Sequence, residues 1–211
     1  MSAIRAAIFD LDGTLVDSLP ATIEAFNVVV MPFLGTRLTA KEVRIVGPNY
    51  RKILGNFLPA ERVDAGLATL SAEFLKRIPS VKVFPGVADL LDDLARRGCR
   101  LACATVRDQD TAYTILRETR LGAYFEQVYA GNVAHGDGAG LAVDPPALQR
   151  LAAELGCAPE NTAFISDSVV DVEVGRKAGV RTAAVSWGYQ RKEDLLLSEP
   201  DFLLEPLVST F

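Results

Sequence analysis

Short apolar runs alternate with helical patterns along this 211-residue chain, and this alternation constrains the fold more than any other feature of the sequence. The runs occupy residues 4–9, 100–105, 127–130, 162–165 and 181–185. Each run is nearly continuous in hydrophobicity, which is typical of parallel strands that are buried on both faces of a sheet. The sequence therefore predicts an α/β fold in which helices flank a parallel sheet.

Helical periodicity fills the segments between these runs. Residues 86–97 carry an apolar stripe with helical spacing, with Pro85 near the start and Gly98 at the end. This asymmetry is the one expected at the two ends of a helix. Residues 145–155 and 171–178 repeat the pattern and predict two further helices.

The segment between the first two runs has a different character. Residues 16–84 contain helical stretches at about 20–30, 40–45, 50–57 and 60–78, with no convincing strand between them. We therefore predict an all-helical cap domain at 16–84, inserted into an α/β catalytic core formed by 1–15 and 85–211. Such a cap would cover the carboxyl ends of the strands, where open parallel sheets bind their ligands.

The composition excludes several classes of partner. A net charge of −5 argues against a broad nucleic-acid surface and against binding to anionic membranes. No apolar stretch approaches the roughly 20 residues that span a bilayer, and the first residues do not form a signal peptide. The three cysteines are too few and too scattered for a disulfide framework. We expect a cytoplasmic protein.

Two carboxylates follow the first predicted strand directly. Asp10 and Asp12 are separated by one residue and are followed by Gly13. Residues two apart in a strand point to the same side, so these two charges should converge, which is costly unless a cation or a proton relieves the repulsion. The pair therefore indicates a metal and phosphoryl-transfer site. The alternative is an Asx-type turn in which both aspartates bind the loop main chain.

Oxygen-bearing side chains also follow two other predicted strands. Thr105 ends one run, and Asp167 follows another, with Asp171 four residues later. Carboxylates at strand ends are natural ligands for a hard cation such as Mg²⁺, and Asp171 would support the ligands from the next helical turn. Alternatively, Thr105 caps the following helix, and Asp167 or Ser168 caps the last one while Asp171 adds negative charge to its first turn.

These residues together resemble three motifs of a known superfamily. The matching strings are Asp10-Leu11-Asp12-Gly13-Thr14, Thr105 and Ser166-Asp167-Ser168-Val169-Val170-Asp171. They look like motifs one, two and four of the haloacid dehalogenase (HAD) superfamily, and the chain is most similar to its phosphoglycolate phosphatase group. The resemblance extends to the ending at Trp187-Gly188-Tyr189. It implies a HAD-like, Rossmannoid parallel sheet with an inserted helical cap.

The resemblance also implies roles for the site residues. Asp10 would attack phosphorus and form an aspartyl-phosphate, and Asp12 would exchange protons with the leaving group and with water. Mg²⁺ would be held by the Asp10 carboxylate, the main-chain carbonyl of Asp12, and Asp167. Thr105 would bind the phosphoryl oxygens. Asp171 would support these ligands without binding the metal ion itself.

One part of the superfamily pattern is absent from this sequence. Members usually carry a lysine as motif three, and alignment by the following helix puts Ala142 at that position. Removing a preorganised positive group from such a site commonly costs about 10²–10³ in rate. Arg107, two residues beyond Thr105, is the best candidate to supply the missing charge. The alternative is a solvated arginine at a helix start.

The cap offers one candidate for substrate binding. Arg51 follows a segment, 47–50, that resembles the cap loop facing the substrate in phosphoglycolate phosphatases, although it is equally consistent with an exposed helix charge. We therefore predict a Mg²⁺-dependent phosphatase, monomeric or homodimeric, that acts on a small phosphorylated metabolite such as phosphoglycolate. The alternatives are a catalytically weakened phosphate-binding or scaffold protein and a sugar-phosphate mutase.

Overall fold

The computed structural model describes residues 3–41, 49–131 and 143–206. The strands are β1 (Ala6–Phe9), β2 (Val16–Asp17), β3 (Lys82–Val83), β4 (Arg100–Thr105), β5 (Gln127–Ala130), β6 (Thr162–Ser166), β7 (Arg181–Val185) and β8 (Phe202–Leu204). The α-helices are α1 (Leu19–Leu34), α2 (Tyr50–Gly55), α3 (Val63–Arg77), α4 (Val87–Arg96), α5 (Gln109–Glu118), α6 (Pro145–Glu154), α7 (Val169–Ala178) and α8 (Lys192–Leu197).

Six of these strands form one parallel sheet in the order β5-β4-β1-β6-β7-β8. The first strand lies in the middle, with Phe9 opposite Cys103 of β4 on one side and Ile165 of β6 on the other. The chain therefore leaves β1 toward one side of the sheet and later crosses to the other. The carboxyl end of β1 is the crevice where parallel sheets of this kind bind ligands. The predicted α/β class is confirmed.

Alternating residues of β1 serve the two faces of the sheet. Ile8 packs into a cluster with Phe164 and with Leu148 of α6. Phe9 points the other way, into a larger cluster that includes Ile115 of α5 and Leu101. Both faces are therefore buried, which explains why the strand sequences read as nearly continuous apolar runs.

The inserted segment contains α1, α2 and α3, together with a short 3₁₀ turn at Ala60–Arg62. It is not all-helical as predicted, because β2 and β3 pair antiparallel at its two ends, with Val16 opposite Val83. Two-residue strands are too short to produce a periodic pattern, so the sequence did not reveal them. The two chain crossings between cap and core therefore lie side by side, but the predicted boundaries at 16 and 84 stay a prediction.

Other predicted elements differ from the structure in detail. The bounds of α5 and α8 and the edge strand β8 were not predicted, and α1 extends further than the predicted helix. Most of the predicted helix at 40–45 lies outside the described residues. The first turn of α7 begins at Val169, two residues before the predicted start, so Asp171 lies inside that turn.

Candidate active site

Three strands deliver the predicted site residues to one edge of the sheet. Asp10 follows β1, Thr105 ends β4 and Asp167 follows β6, and these strands are neighbours. The main-chain N–H of Asp10 donates to the Ile165 carbonyl (2.9 Å), which continues the ladder one residue past β1. The carboxyl ends of the strands therefore bring together the residues that the sequence analysis selected.

Thr14 connects Asp10 with Asp167. Its hydroxyl lies 3.5 Å from an Asp10 oxygen and accepts the main-chain N–H of Asp167 at 3.1 Å. The Thr14 side chain is buried, so its hydroxyl makes its hydrogen bonds with these two groups inside the protein. The turn after β1 is thereby fixed against the end of β6.

Asp12 forms a bidentate ion pair with Arg107. The Nε and one Nη of Arg107 donate to the two Asp12 oxygens, each at 2.8 Å. The Ser18 hydroxyl donates to one of these oxygens as well. The partners of this carboxylate therefore come from other parts of the chain, and an Asx-type turn does not describe Asp12.

Arg107 also contacts the cap. Its guanidinium carbon lies 3.9 Å from the ring centroid of Phe74, which is buried in α3. The Arg107 side chain is only 10% exposed, so it is not the solvated helix-start arginine of the alternative interpretation. Desolvation lowers the pKa of Arg107, but the charge and hydrogen bond of Asp12, together with Tyr50 and Tyr189, raise it by more, so the guanidinium stays charged within the site.

The pKa values of the other three carboxyl groups of the site, Asp10, Asp167 and Asp171, are raised. Desolvation, followed by the charges of Asp171, Asp167 and Asp12, raises the pKa of Asp10 well above its usual value. Burial raises the pKa of Asp167 to about 7 and that of Asp171 to about 6. These three carboxyl groups are buried close together, and a bound cation would favour their ionised forms.

Hydrogen bonds hold the two carboxylates that follow β6. The Ser166 hydroxyl donates to Asp171 at 2.6 Å, and the main-chain N–H of Tyr189 donates to Asp167 at 2.6 Å. Ser168 is the N-cap residue of α7, but its side chain makes no capping hydrogen bond. The capping interpretation therefore does not account for Asp167 and Ser168, although Asp171 does lie in the first turn.

Thr105 is completely buried, and its hydroxyl accepts the main-chain N–H of Arg107 at 3.2 Å. The N-cap of α5 is Asp108, whose side chain accepts the N–H of Thr111 at 2.9 Å. Thr105 is therefore not the helix cap. It lies at the base of the same crevice, and its role as a phosphoryl ligand stays a prediction.

Two glycines leave space for the Asp167 side chain. Gly13 has a φ of +88°, and a Cβ there would lie 2.4 Å from an Asp167 carboxylate oxygen. A Cβ on Gly188 would lie 2.2 Å from the Asp167 Cβ and 2.4 Å from the Gly13 carbonyl oxygen. Neither position accepts a side chain, so the loops after β1 and β7 close directly on this carboxylate.

The donor set fits a hard divalent cation. Asp10 and Asp167 offer carboxylate oxygens, and Asp12 offers its carbonyl, which is the ligand chemistry that Mg²⁺ takes. Among residues 3–41, 49–131 and 143–206, no three acidic, histidine or cysteine side chains form a ready-made metal cluster. The proposed ligands include only two carboxylate side chains, Asp10 and Asp167, so the lack of a three-residue cluster is compatible with them.

The structure does not bring Arg51 into this cluster. Its guanidinium pairs with Asp64 of α3 at 2.5 Å, and its side chain is 43% exposed. The neighbouring Tyr50 instead lies close enough to Arg107 to affect its electrostatics, and its ring packs edge-to-face on Phe26. Within the described residues, the cap therefore presents aromatic side chains to Arg107. Ala142 lies outside those residues.

Some residues of the site were not selected from the sequence. They are Ser18 on Asp12, Phe74 on Arg107, and the segment Trp187–Tyr189, whose indole N–H donates to the Thr14 carbonyl at 3.0 Å. The Trp-Gly-Tyr string was noted for its resemblance, but nothing in its local pattern assigned it a partner. These contacts join distant parts of the chain, so no periodicity reports them.

A parallel sheet with acidic residues at the carboxyl ends of its central strands, below an inserted helical segment, defines the haloacid dehalogenase-like class. The sequence profile of the family described as haloacid dehalogenase-like hydrolase matches residues 7–185, and the chain belongs to this family. The predicted superfamily and the predicted enzyme class are thereby confirmed.

Individual relatives place the chain more closely within the family. It is 30% identical to phosphoglycolate phosphatase 1 of Pseudomonas aeruginosa, over 96% of this chain and 77% of that protein. It is also 30% identical to pyrophosphatase PpaX of Anoxybacillus flavithermus, over 97% and 94% of the two chains. A solved haloacid dehalogenase-like hydrolase from Streptococcus pneumoniae shares 26% identity and superposes with a TM-score of 0.81, covering 96% of this chain and 94% of that one.

No helix in the described part of the chain combines the length and the apolar character needed to cross a bilayer.

Proposed function

We propose that the protein is a Mg²⁺-dependent phosphatase that hydrolyses a small phosphomonoester, with phosphoglycolate as a representative substrate. The observation that carries this proposal is the arrangement around Asp10. Its carboxylate lies beside Asp167 and Asp171, while Arg107 supplies a buried cation at Asp12. A nucleophile, a proton carrier and a positive charge are therefore assembled at one edge of the sheet.

The reaction would proceed in two displacements at phosphorus. An oxygen of Asp10 attacks, and the bond from phosphorus to the leaving oxygen breaks. Asp12 gives that oxygen a proton, which it would take up from solvent when the substrate phosphate draws Arg107 away from it. Asp12 then accepts a proton from a water molecule, which attacks the aspartyl-phosphate and releases inorganic phosphate. Thr105 would hold the phosphoryl oxygens throughout. A bound Mg²⁺, held by Asp10, Asp167 and the Asp12 carbonyl, would supply charge neutralisation.

Arg107 would fill part of the role of the absent lysine. Its guanidinium presents several donors in a rigid fork that matches both carboxylates and phosphates. In the structure this fork is directed at Asp12. The scaffold alternative was based on the missing lysine, and a buried arginine in the same site weakens that reason.

The relatives support the same chemistry. One is named a phosphoglycolate phosphatase and another a pyrophosphatase, and both names describe removal of phosphate from small molecules. The three cysteines are free thiols, which suits the reducing cytoplasm that we infer for this enzyme.

The proposal is tested by phosphate release from 2-phosphoglycolate, pyrophosphate and an aryl phosphate, with Mg²⁺ or with EDTA. The control is Asp10→Asn, which keeps the shape of the side chain but removes the nucleophile. We expect turnover only in the wild type with Mg²⁺, and a phosphorylated Asp10 peptide after acid quenching. Hydrolysis equal to the control would leave the scaffold interpretation, and net isomerisation of a sugar phosphate would indicate a mutase.

A further inference from the structure

The first cap helix is capped by a residue from the far end of the chain. Ser18 is the N-cap residue of α1, but its side chain makes no capping hydrogen bond. Its hydroxyl donates to Asp12 instead. Ser18 and Leu19 are buried, so the N–H groups at the start of this helix need another acceptor within the protein.

Tyr189 supplies that acceptor. Its hydroxyl oxygen accepts the main-chain N–H of Ser18 at 2.8 Å and that of Leu19 at 3.0 Å. The next residue, Pro20, has no N–H to satisfy. Desolvation and the charge of Asp12 raise the pKa of Tyr189, so its hydroxyl remains a neutral phenol. The phenol thus satisfies two N–H groups at the start of α1, those of Ser18 and Leu19.

The same side chain also meets the second crossing between cap and core. The ring of Phe84, which directly follows β3, lies 6.4 Å from the Tyr189 ring between centroids, with the planes inclined by 59°. The Phe84 N–H donates to the Leu15 carbonyl at 3.0 Å, next to β2. Tyr189 therefore contacts both segments through which the chain enters and leaves the cap.

The main chain of Tyr189 is anchored in the catalytic core. Its N–H donates to Asp167 at 2.6 Å, and the preceding Gly188 is pressed against Asp167 and Gly13 so closely that a Cβ does not fit. One end of the residue is thus held by a predicted metal ligand. The other end holds the start of the cap.

We propose that Tyr189 is a positioning residue that sets the orientation of the cap over the catalytic edge of the sheet. Its significance for catalysis rests on the proposed phosphatase function, since cap orientation determines how a substrate meets Asp12 and Arg107. The residue acts through Ser18, Leu19 and Phe84, and it does not itself touch the reacting atoms.

The test is Tyr189→Phe, which removes the hydroxyl and keeps the ring. Tyr124→Phe is the matched control. The Tyr124 hydroxyl also makes a hydrogen bond, to Asp92 at 2.8 Å, but this bond lies on the exposed surface of the α/β domain. We expect exchange of the Ser18 and Leu19 amide hydrogens to accelerate about tenfold in Tyr189→Phe, since both donors lose their acceptor. The control should leave these amides unchanged.

Kinetics and metal binding give the second measurement. Changes at hinges commonly alter kcat and KM together, so we expect both to change by about threefold to tenfold in Tyr189→Phe. The affinity for Mg²⁺, measured by calorimetry, should stay within about twofold because the N–H bond to Asp167 is retained. A residue that served stability alone would lower the melting temperature without altering the kcat and KM of the folded enzyme.

Wild-type amide exchange and unchanged kcat and KM in a folded Tyr189→Phe variant would overturn the proposal. If that variant does not fold, Phe84→Leu removes the ring contact at the second crossing and should change kcat and KM in the same way. Unaltered kinetics in Phe84→Leu would then refute it. Absence of hydrolysis in the wild type would refute the phosphatase function, whereas the amide exchange would still decide the role of Tyr189.

Discussion

The acidic cluster predicts an unusual dependence of stability on pH in the metal-free protein. Burial raises the pKa of Asp167 from 3.8 to about 7 in the folded state. The folded protein therefore keeps a proton that the unfolded chain releases. This contribution to stability is complete below pH 3.8, is lost as the pH rises through 7, and stays lost above that. The metal-free protein should consequently be more stable at pH 5 than at pH 8.

The size of the effect follows from the same shift. Each pH unit between the two pKa values changes the free energy of unfolding by about 1.36 kcal/mol per group. Between pH 5 and pH 7 the Asp167 proton alone accounts for a loss of about 3 kcal/mol. With a urea m-value near the upper end of the usual range, about 3 kcal/mol/M, the midpoint should fall by about 1 M. Asp171, with a pKa of about 6, acts in the same direction.

The measurement is urea unfolding from pH 5 to pH 8 in EDTA, followed by fluorescence. Trp187 is the only tryptophan of the chain and lies beside the site, where its indole donates to Thr14. The proposed Mg²⁺ would bind the ionised carboxylates and should oppose the trend: at 100 times its dissociation constant, a ligand of the folded state adds about 2.7 kcal/mol. At pH 8 this would restore most of the lost stability.

The control for this prediction is Asp167→Asn, which removes the titrating group and keeps an oxygen for the Tyr189 N–H. This variant should lose the share of the pH dependence that Asp167 contributes, and Asp10 and Asp171 should keep the rest. A wild-type midpoint in EDTA that stays level or rises from pH 5 to pH 8 would show that the acidic cluster does not bind protons as reasoned. An Asp167→Asn variant with the full wild-type slope would assign the effect to other groups.

Three further predictions concern the charge of Arg107, the close packing of Gly188 and the absent lysine. Arg107→Met should lower kcat/KM by about 10²–10³ and Arg107→Lys by less, in steady-state assays, because a preorganised charge is lost in one variant and retained in the other; equal kinetics would refute a catalytic role. Gly188→Ala should destabilise the protein by about 3 kcal/mol in urea unfolding through overpacking against Asp167, whereas Gly55→Ala, with nothing within 4 Å of the new Cβ, should be neutral or slightly stabilising. Ala142→Lys should raise kcat by about tenfold if the missing lysine limits the reaction, and an unchanged kcat would indicate that Arg107 already suffices.

The sequence predicted the parts of the site that depend on strand ends. Asp10, Thr105 and Asp167 were found because apolar runs mark strands and the carboxyl ends of parallel strands share an edge. The ion pair between Asp12 and Arg107 joins residues 95 positions apart, and only the side of the crevice could be inferred for Arg107.

Other contacts had no local signal at all. The hydroxyl of Tyr189 meets the Ser18 N–H across 171 positions, and Phe74 reaches Arg107 from the cap. Arg51 was selected by likeness to a substrate-facing loop, but tertiary packing pairs it with Asp64. Propensity and periodicity describe neighbours along the chain, and these contacts are decided by how the cap packs on the core.

The antiparallel pair β2–β3 has a consequence for how this protein can change in evolution. Because Val16 and Val83 are cross-strand partners, the intervening segment could in principle be exchanged for another without disturbing the sheet. The side chains of the segment limit such an exchange, because Phe26 and Phe74 belong to the same continuous hydrophobic cluster as Phe9. A replacement segment must therefore bring its own complementary apolar surface, so the inserted segment and that part of the core can change only together.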